Sequence, residues 1–224
     1  MSSKVEQLSW SIVEQNLLEL NGKSYLVTVD YYSDYIEIDE FSDATAATVI
    51  DCTKKHFARH RIANMQTDNE PQYTSQEFEK FTKEYEFKHS TSNPRHSQSN
   101  GKVKSAVKIA KKRIKKCTTD QSDLQLALLK WQNMPDVYGS SPAQKLMLWR
   151  TRTTIPTSHA LLKPQVIYQV PGTIKHKKQL VKPQYDRIAK QLPELEIGDK
   201  VIVNQKCHDQ KVHALQKLVH YPAW

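Results

Sequence analysis

A lysine-rich segment near the middle of the chain carries the side chains best suited to chemistry. Residues 96–117 read HSQSNGKVKSAVKIAKKRIKKC, in which a Ser/Asn/Gly cluster precedes an amphipathic helical pattern. Its lysines recur three to four residues apart and therefore share one face of the predicted helix. Such a face is a solvated surface, a set of phosphate contacts or one wall of an active site. The lysines expected to contact nucleic acid are Lys102, Lys104, Lys108, Lys111, Lys112 and Lys115.

Histidine and cysteine side chains raise a second question, metal binding. His56 and His60 are four residues apart on a predicted helix, but no third ligand is apparent in the sequence. A basic helix face is therefore the favoured interpretation, and we expect no structural zinc. Further zinc-binding atoms occur near the C-terminus at spacings that fit no common zinc finger, in Cys207, His208, His213 and His220.

The charge balance favours an anionic partner. Lys and Arg number 33 against 24 Asp and Glu, a net charge of +9, and nucleic acid is the commonest partner of such a protein. No run of 18 apolar residues exists, so we expect no membrane span. The N-terminus has no signal-peptide pattern. Three scattered cysteines without a CxxC motif favour an intracellular protein, with the cytoplasm and the nucleus both left open.

The elements around the lysine-rich helix follow from periodicity and turn signals. Asn21-Gly22 between two apolar runs predicts a hairpin. The predicted strands are 14–20, 24–31, 35–41, 64–67 and 87–92. The predicted helices are 43–59 behind an Asp43 N-cap, 75–86 behind Ser75, about 100–116, and one that begins after Ser122. Val103, Val107, Ala110 and Ile114 are the expected buried stripe of the lysine-rich helix.

The order of these elements, βββαβαβαα, predicts an α/β fold with a mixed five-stranded sheet and flanking helices. From about residue 150 the sequence becomes polar, basic and rich in proline, which predicts an extended linker with some helix near 182–191. ELEIGDKVIVNQ then indicates a turn and a strand in the last part of the chain.

Three stretches carry a family resemblance: ELNGKSYLVTVDYYSDYIEI, TDNEPQYTSQEF and NPRHSQSNGKVKSAV. In this order they resemble the integrases of gypsy-type LTR retrotransposons, members of the retroviral integrase superfamily. The resemblance implies an RNase H-like catalytic core at 8–157, a basic linker at 158–192 and a partial SH3-like segment at 193–224. It also implies a role in DNA integration, with DNA as the partner.

Active members of that family hold two Mg²⁺ or Mn²⁺ ions with three carboxylates, which supports phosphodiester transfer. The residues of this chain that match those three acids are Asn16, Asp68 and Lys104. Asn16 retains an oxygen but loses the charge, and the Lys104 ammonium has no lone pair and repels a cation. Only Asp68 retains a ligand, so we expect weak or no metal binding, no cofactor and no catalysis. The resemblance then implies a DNA-binding pseudoenzyme.

Two alternatives remain open. One is a residual Mg²⁺-dependent polynucleotidyl transferase that uses Asp68 with Asp30 or Glu70, and the other is an interaction scaffold, such as a homodimer. Glu70 stands where the family has a glycine, so a turn that needs positive φ would be strained there. Its carboxylate replaces a lost ligand only if it points into the site. Asp30 lies on the second strand, and we interpret it as a structural, hydrogen-bonding residue.

Overall fold

The computed structural model of the chain describes residues 8–60, 62–92, 101–167 and 170–186. The partial SH3-like segment predicted at 193–224 lies outside these residues, as do residues 93–100, which include the start predicted for the lysine-rich helix. The described residues up to position 182 belong to one compact unit.

A mixed sheet of five strands forms the centre of this unit, as the sequence predicts. The first three strands are antiparallel to one another, whereas the fourth and fifth run parallel to the first. Across the sheet the order is β3-β2-β1-β4-β5. The strands are β1 (Ile12–Leu20), β2 (Lys23–Asp30), β3 (Ile36–Phe41), β4 (Asn64–Thr67) and β5 (Lys88–Thr91).

Asn21 and Gly22 form the two-residue turn between β1 and β2. Their φ angles are 55° and 71°, in the left-handed region that Asn and Gly enter at the least cost. The predicted hairpin is therefore confirmed. The turn sets the pairing of Leu20 with Lys23 and, further along, of Asn16 with Val27.

Helices cover both faces of the sheet, and each face has its own buried core. The first core includes Val13, Met65 and Phe78, and the second includes Val27 and Ala110. Within the part of the chain that the structure describes, no helix has the length and apolar content needed to cross a bilayer. The helices are α1 (Ala46–Arg59), α2 (Gln76–Glu84), α3 (Gly101–Asp120), α4 (Leu124–Gln132), α5 (Pro142–Met147) and α6 (Val170–Asp186), with a 3₁₀ turn at His159–Leu162.

The alternation of side chains along β1 decides which residues face which core. Val13 belongs to the core that contains α1 and α2 residues, and Leu18 belongs to the core that contains α3 residues. Because successive side chains of a strand point to opposite faces, Glu14 and Asn16 share the face of Leu18. This face, covered by α3, carries the predicted triad position of β1.

Two predicted N-caps are wrong by one or two residues, and one is confirmed. α1 begins after Thr45, whose hydroxyl accepts from Thr48 N at 3.2 Å, and not after Asp43. α4 begins after Asp123, whose carboxylate accepts from Gln125 N at 2.7 Å. The segments before α1 and α4 each contain several residues that can act as N-caps. The actual cap is the residue whose side chain accepts a hydrogen bond from a free backbone N–H of the first turn. Ser75 caps α2 as predicted.

The lysine-rich helix α3 is longer than predicted and buries a slightly different stripe. It extends to Asp120. Val107 is only half-buried, and Ala106 takes the place predicted for it. The stripe thereby follows the 3.6-residue period from Val103 through Ala110 and Ile114 to Cys117.

Helical structure also occurs within the segment predicted to be an extended linker. α6 begins at Val170, whereas helix was expected only near 182–191. Val170 is buried, and Tyr138 Oη lies 2.8 Å from His176 Nδ1 of this helix. Local packing thus orders a stretch in which the sequence shows mainly charge and proline.

Candidate functional site

β1 and β4 bring two of the three predicted triad residues into contact. The strands are parallel, with Glu14 paired to Gln66, so the residues two positions further, Asn16 and Asp68, come side by side. The Asn16 amide Nδ2 donates to Asp68 Oδ2 at 3.0 Å. We call Asn16, Asp68 and Lys104 the triad site. The Asn16 NH₂ group therefore binds the Asp68 oxygen that would otherwise be available to coordinate a metal ion.

The Glu70 side chain turns toward Asp68. Asp68 Oδ1 accepts from the Glu70 backbone N–H at 3.2 Å, and the two carboxyl groups are close enough to affect each other's pKa. Burial, and then the charge of Asp68, raise the pKa of Glu70, and burial raises the pKa of Asp68. Two like charges placed this close disfavour ionisation of both carboxyl groups. Glu70 is not among the residues with positive φ, so the strain expected there is absent.

Glu14 is a buried carboxyl next to the triad site that the sequence reasoning missed. Its Oε2 accepts from the backbone N–H of Val103 in α3 at 3.1 Å and from the Tyr31 hydroxyl at 3.0 Å. Burial raises the pKa of Glu14 from 4.5 to about 7, and the charges of Lys102 and Lys104 limit that rise. One sequence signal could have indicated Glu14: it is a charged residue on the predicted first strand, on the same face as Asn16.

α3 carries the third triad position and the predicted phosphate contacts. Lys104 is exposed, and its charge lies close enough to Glu14 to act on that pKa. Lys102 differs from the other lysines because its Nζ lies 2.8 Å from Asp34 Oδ1 and also donates to the Tyr31 carbonyl. The remaining predicted contacts are exposed, namely Lys108, Lys111, Lys112 and Lys115.

Asp30, the alternative acid considered for catalysis, has a structural role. It is fully buried, and its carboxylate accepts from Trp10 N at 2.9 Å and from Ser33 N at 2.8 Å. Those bonds fix the turn after β2 and the backbone of Trp10, two residues before β1 begins. The interpretation of Asp30 as a hydrogen-bonding residue is therefore confirmed, and its carboxylate has no access to a substrate.

The residues present do not fit a two-metal centre. Such a centre needs carboxylate oxygens at all three places, because their charge offsets that of the ions. Here Asn16 directs its NH₂ group at Asp68. Turning the amide over would place its oxygen against a carboxylate oxygen unless a cation lay between them. Lys104 adds a positive charge and no lone pair. No step of a metal-dependent reaction follows from this set of side chains.

Comparison with known proteins identifies the domain. Residues 11–97 match the family model of the integrase core domain. Uncharacterized protein K02A2.6 of Caenorhabditis elegans is 30% identical over 172 residues, which are 72% of this chain but only 14% of that protein.

Two solved structures resemble this one. The catalytic core domain of BIV integrase matches with a TM-score of 0.55 and 22% identity, over 62% of this chain and 94% of that one. A chain of the simian T-cell lymphotropic virus intasome, solved in complex with PP2A regulatory subunit B56 gamma, matches with a TM-score of 0.59 and 21% identity. This match covers 73% of the present chain and 62% of the intasome chain. Both likenesses support the predicted RNase H-like core. Residues 11–97 are therefore similar to the integrase core domain family.

Proposed function

We propose that this chain is a retrotransposon-derived integrase-core protein that binds duplex DNA through α3 and has lost integrase chemistry. The observation that carries the proposal is the hydrogen bond from the Asn16 amide to Asp68, beside a helix with Lys104 at the third acid position. A donor and an ammonium stand where an active centre needs anionic oxygens. The motifs that resemble gypsy-type integrases support the retrotransposon origin.

The exposed lysines of α3 support the DNA-binding part of the proposal. They lie on one side of a single helix, in a chain of net charge +9. Contacts from such lysines to phosphates are independent of base sequence and weaken steeply with salt, by a slope of about −0.9 per phosphate contact in a plot of log K against log salt concentration. The match of residues 11–97 to the integrase core domain agrees with DNA as the ligand.

The test is a titration of the full chain with labelled duplex at several salt concentrations. The Lys108→Ala/Lys111→Ala variant should weaken binding and reduce the magnitude of the salt slope by about 2, one for each lost contact. Lys80→Ala/Lys83→Ala is the matched control, because both residues are exposed on α2 and the charge change is the same. Equal effects of the two double variants, or no binding at low salt, would contradict the proposal.

A residual transferase is the second candidate, and the contact between Asp68 and Glu70 is the observation that favours it. Under this alternative the two carboxyl groups hold one ion. The measurement is strand transfer with Mg²⁺ or Mn²⁺, beside an Asp68→Ala variant. We expect no metal-dependent joining in the unmodified chain. Joining that Asp68→Ala abolishes would favour the enzyme instead. The homodimer alternative stays a prediction, to be tested by light scattering of the purified chain.

A further inference from the structure

Four potential metal ligands converge between β3 and α1, away from the triad site. Glu37 and Asp39 are two residues apart on β3 and share one face of the strand. His56 and His60 are four residues apart along α1 and its C-cap. We call these four residues the β3–α1 cluster. Ile38, between the two acids, faces the core that contains α3, so the cluster lies on the opposite face of the sheet from Asn16.

The ligand atoms of the cluster are already close together. His56 Nε2 lies 2.9 Å from Asp39 Oδ2 and 3.0 Å from Glu37 Oε2. His60 Nε2 lies 3.0 Å from Glu37 Oε1. Ligand atoms of Glu37, Asp39 and His56 all lie within 4.8 Å of one another. Donors around a tetrahedral zinc ion are about 3.4 Å apart, from metal–ligand distances of about 2.1 Å. A small expansion therefore makes room for one ion among these three residues. His60 contacts Glu37 but lies outside this group, so its imidazole must move toward the ion to become the fourth ligand.

We propose that Glu37, Asp39, His56 and His60 bind one zinc-class transition-metal ion. Two imidazole nitrogens with two carboxylate oxygens are a donor set suited to Zn²⁺, Co²⁺ and related ions rather than to Mg²⁺. One N–H of His56 can donate well to only one of the two nearby carboxylate oxygens, whereas a cation at their common point contacts both. This inference goes beyond the proposed function and does not depend on it.

The surroundings hold the imidazoles in position. The indole ring of Trp10 stacks on His60 with ring centroids 3.7 Å apart and planes 14° apart, and it meets the edge of His56 at 5.9 Å. The Trp10 backbone is itself fixed by its bond to Asp30. Ligands held this way lose little freedom on binding an ion. With four protein ligands, the site is of the closed, structural kind and would link β3 to α1.

An ion can reach the cluster from one side. A groove of about 550 Å³ is lined by both acids of the cluster together with Arg59 and residues of α4. The side chains of Glu37, Asp39 and His60 are 15%, 23% and 13% exposed. Arg59 donates to Glu37 at the rim of this groove. Its guanidinium competes with a metal for Glu37, and without a metal the cluster is an ion-pair network.

The experiment is a titration of the metal-stripped full chain with Co²⁺, followed by displacement with Zn²⁺. We expect one equivalent of Co²⁺ to give the visible absorption of a four-coordinate ion, and Zn²⁺ to abolish it. Zn²⁺ should also raise the melting temperature, because an ion that binds only the folded chain stabilises it. Absence of binding at micromolar Co²⁺ and Zn²⁺ would overturn the proposal in favour of the ion-pair network.

Variants locate the ion. Glu37→Gln and His60→Gln should each weaken Co²⁺ binding at least tenfold, and Asp39→Asn serves as a second carboxylate variant if Glu37→Gln does not fold. Thermal unfolding in chelator verifies folding of each variant. The controls are the exposed His159→Gln and, for the zinc-capable residues near the C-terminus, Cys207→Ser with His208→Gln. Binding that survives the cluster variants, or is lost in either control, would overturn the proposal.

Discussion

The triad site and the β3–α1 cluster sit on opposite faces of one sheet and differ in what their side chains offer a cation. At the triad site, an amide N–H₂ group faces Asp68 and a lysine occupies the third position. In the β3–α1 cluster, two imidazoles face two carboxylates. At the first site the resemblance to integrases implies three metal-binding carboxylates, yet the donors present do not suit a metal. The second has no such family association, yet its donors do. We therefore expect donor type, more than position in the fold, to decide where a cation binds in this chain.

The pKa values of two glutamates, Glu14 next to the triad site and Glu37 in the β3–α1 cluster, differ in the same way. Burial alone would raise the pKa of both Glu14 and Glu37. For Glu37, hydrogen bonds to His56 and His60 and the nearby charge of Arg59 outweigh burial and hold the pKa well below its usual range. Among the described residues, Glu14 accepts from the Tyr31 hydroxyl and the Val103 backbone N–H, and its pKa stays raised at about 7. The direction of the shift follows the charge of the partners, not the depth of burial.

The largest effect should come from removing the aromatic support of the β3–α1 cluster. Trp10 is 1% exposed and contacts His56, His60 and Tyr35. Truncating a buried Trp leaves a cavity, so Trp10→Ala should lower the free energy of unfolding by about 3–5 kcal/mol, measured by urea denaturation. Trp149→Ala is the control, because Trp149 is 39% exposed and should cost much less. A loss below about 1.5 kcal/mol for Trp10→Ala would mean that the cluster is not rigidly supported.

The second prediction concerns the pH dependence that Glu14 produces. Its pKa is about 7 in the folded chain against an ordinary value of 4.5, so the folded state binds more protons between these values. The free energy of unfolding therefore falls as pH rises through this window, by up to about 3 kcal/mol. Glu14→Gln removes this contribution, and its stability relative to the unmodified chain should rise by that amount between pH 4 and pH 8.

Urea denaturation across pH measures this difference, and subtracting the two chains isolates Glu14 from groups such as Glu37, whose lowered pKa acts in the opposite direction. Glu19→Gln is the matched control, since Glu19 is exposed on the same strand. The curve of the Glu14→Gln variant is compared with the curve of this control. A change below about 1 kcal/mol for Glu14→Gln would contradict the contrast drawn between Glu14 and Glu37.

Local signals predicted much of the fold, because they depend on neighbouring residues. The hairpin at Asn21-Gly22 follows from the φ angles that these two residues tolerate, and the period of α3 follows from its apolar spacing. The N-caps Thr45 and Asp123 were missed because adjacent residues are equally able to cap. The resemblance, rather than any spacing rule, supplied the pairing of Asn16 with Asp68, which are 52 residues apart.

The β3–α1 cluster was missed for a related reason. His56 and His60 indicate a ligand pair by their spacing alone, but the acids are 17 to 23 residues away, on a strand. Only the packing of α1 against β3 shows which side of the strand faces the helix. Glu14 was missed because its burial depends on α3, which lies 89 residues away at the contact with Val103.

The third prediction restores the missing donors of the triad site. In Asn16→Asp/Lys104→Glu, three carboxylates stand at the three positions, so Mn²⁺ should bind and raise the stability by about 2.7 kcal/mol at a concentration 100 times its Kd. Thermal unfolding with and without Mn²⁺ measures this, and the unmodified chain should show no shift from the triad site. The control is Glu37→Gln in the same background, which should leave the Mn²⁺ shift intact. No shift in the double variant would mean that the donor type is not what separates the two sites.

The smallest effect should distinguish two lysines of α3 near the triad site. Lys102 is paired with Asp34 and donates to the Tyr31 carbonyl, so its side chain is committed within the protein. Lys102→Ala should therefore lower the free energy of unfolding by about 1 kcal/mol and leave the salt slope of duplex binding unchanged. Lys111→Ala, an exposed position of the same helix, should leave stability unchanged and reduce the slope by about 1. A slope that falls equally in both variants would show that Lys102 leaves Asp34 for a phosphate when DNA binds.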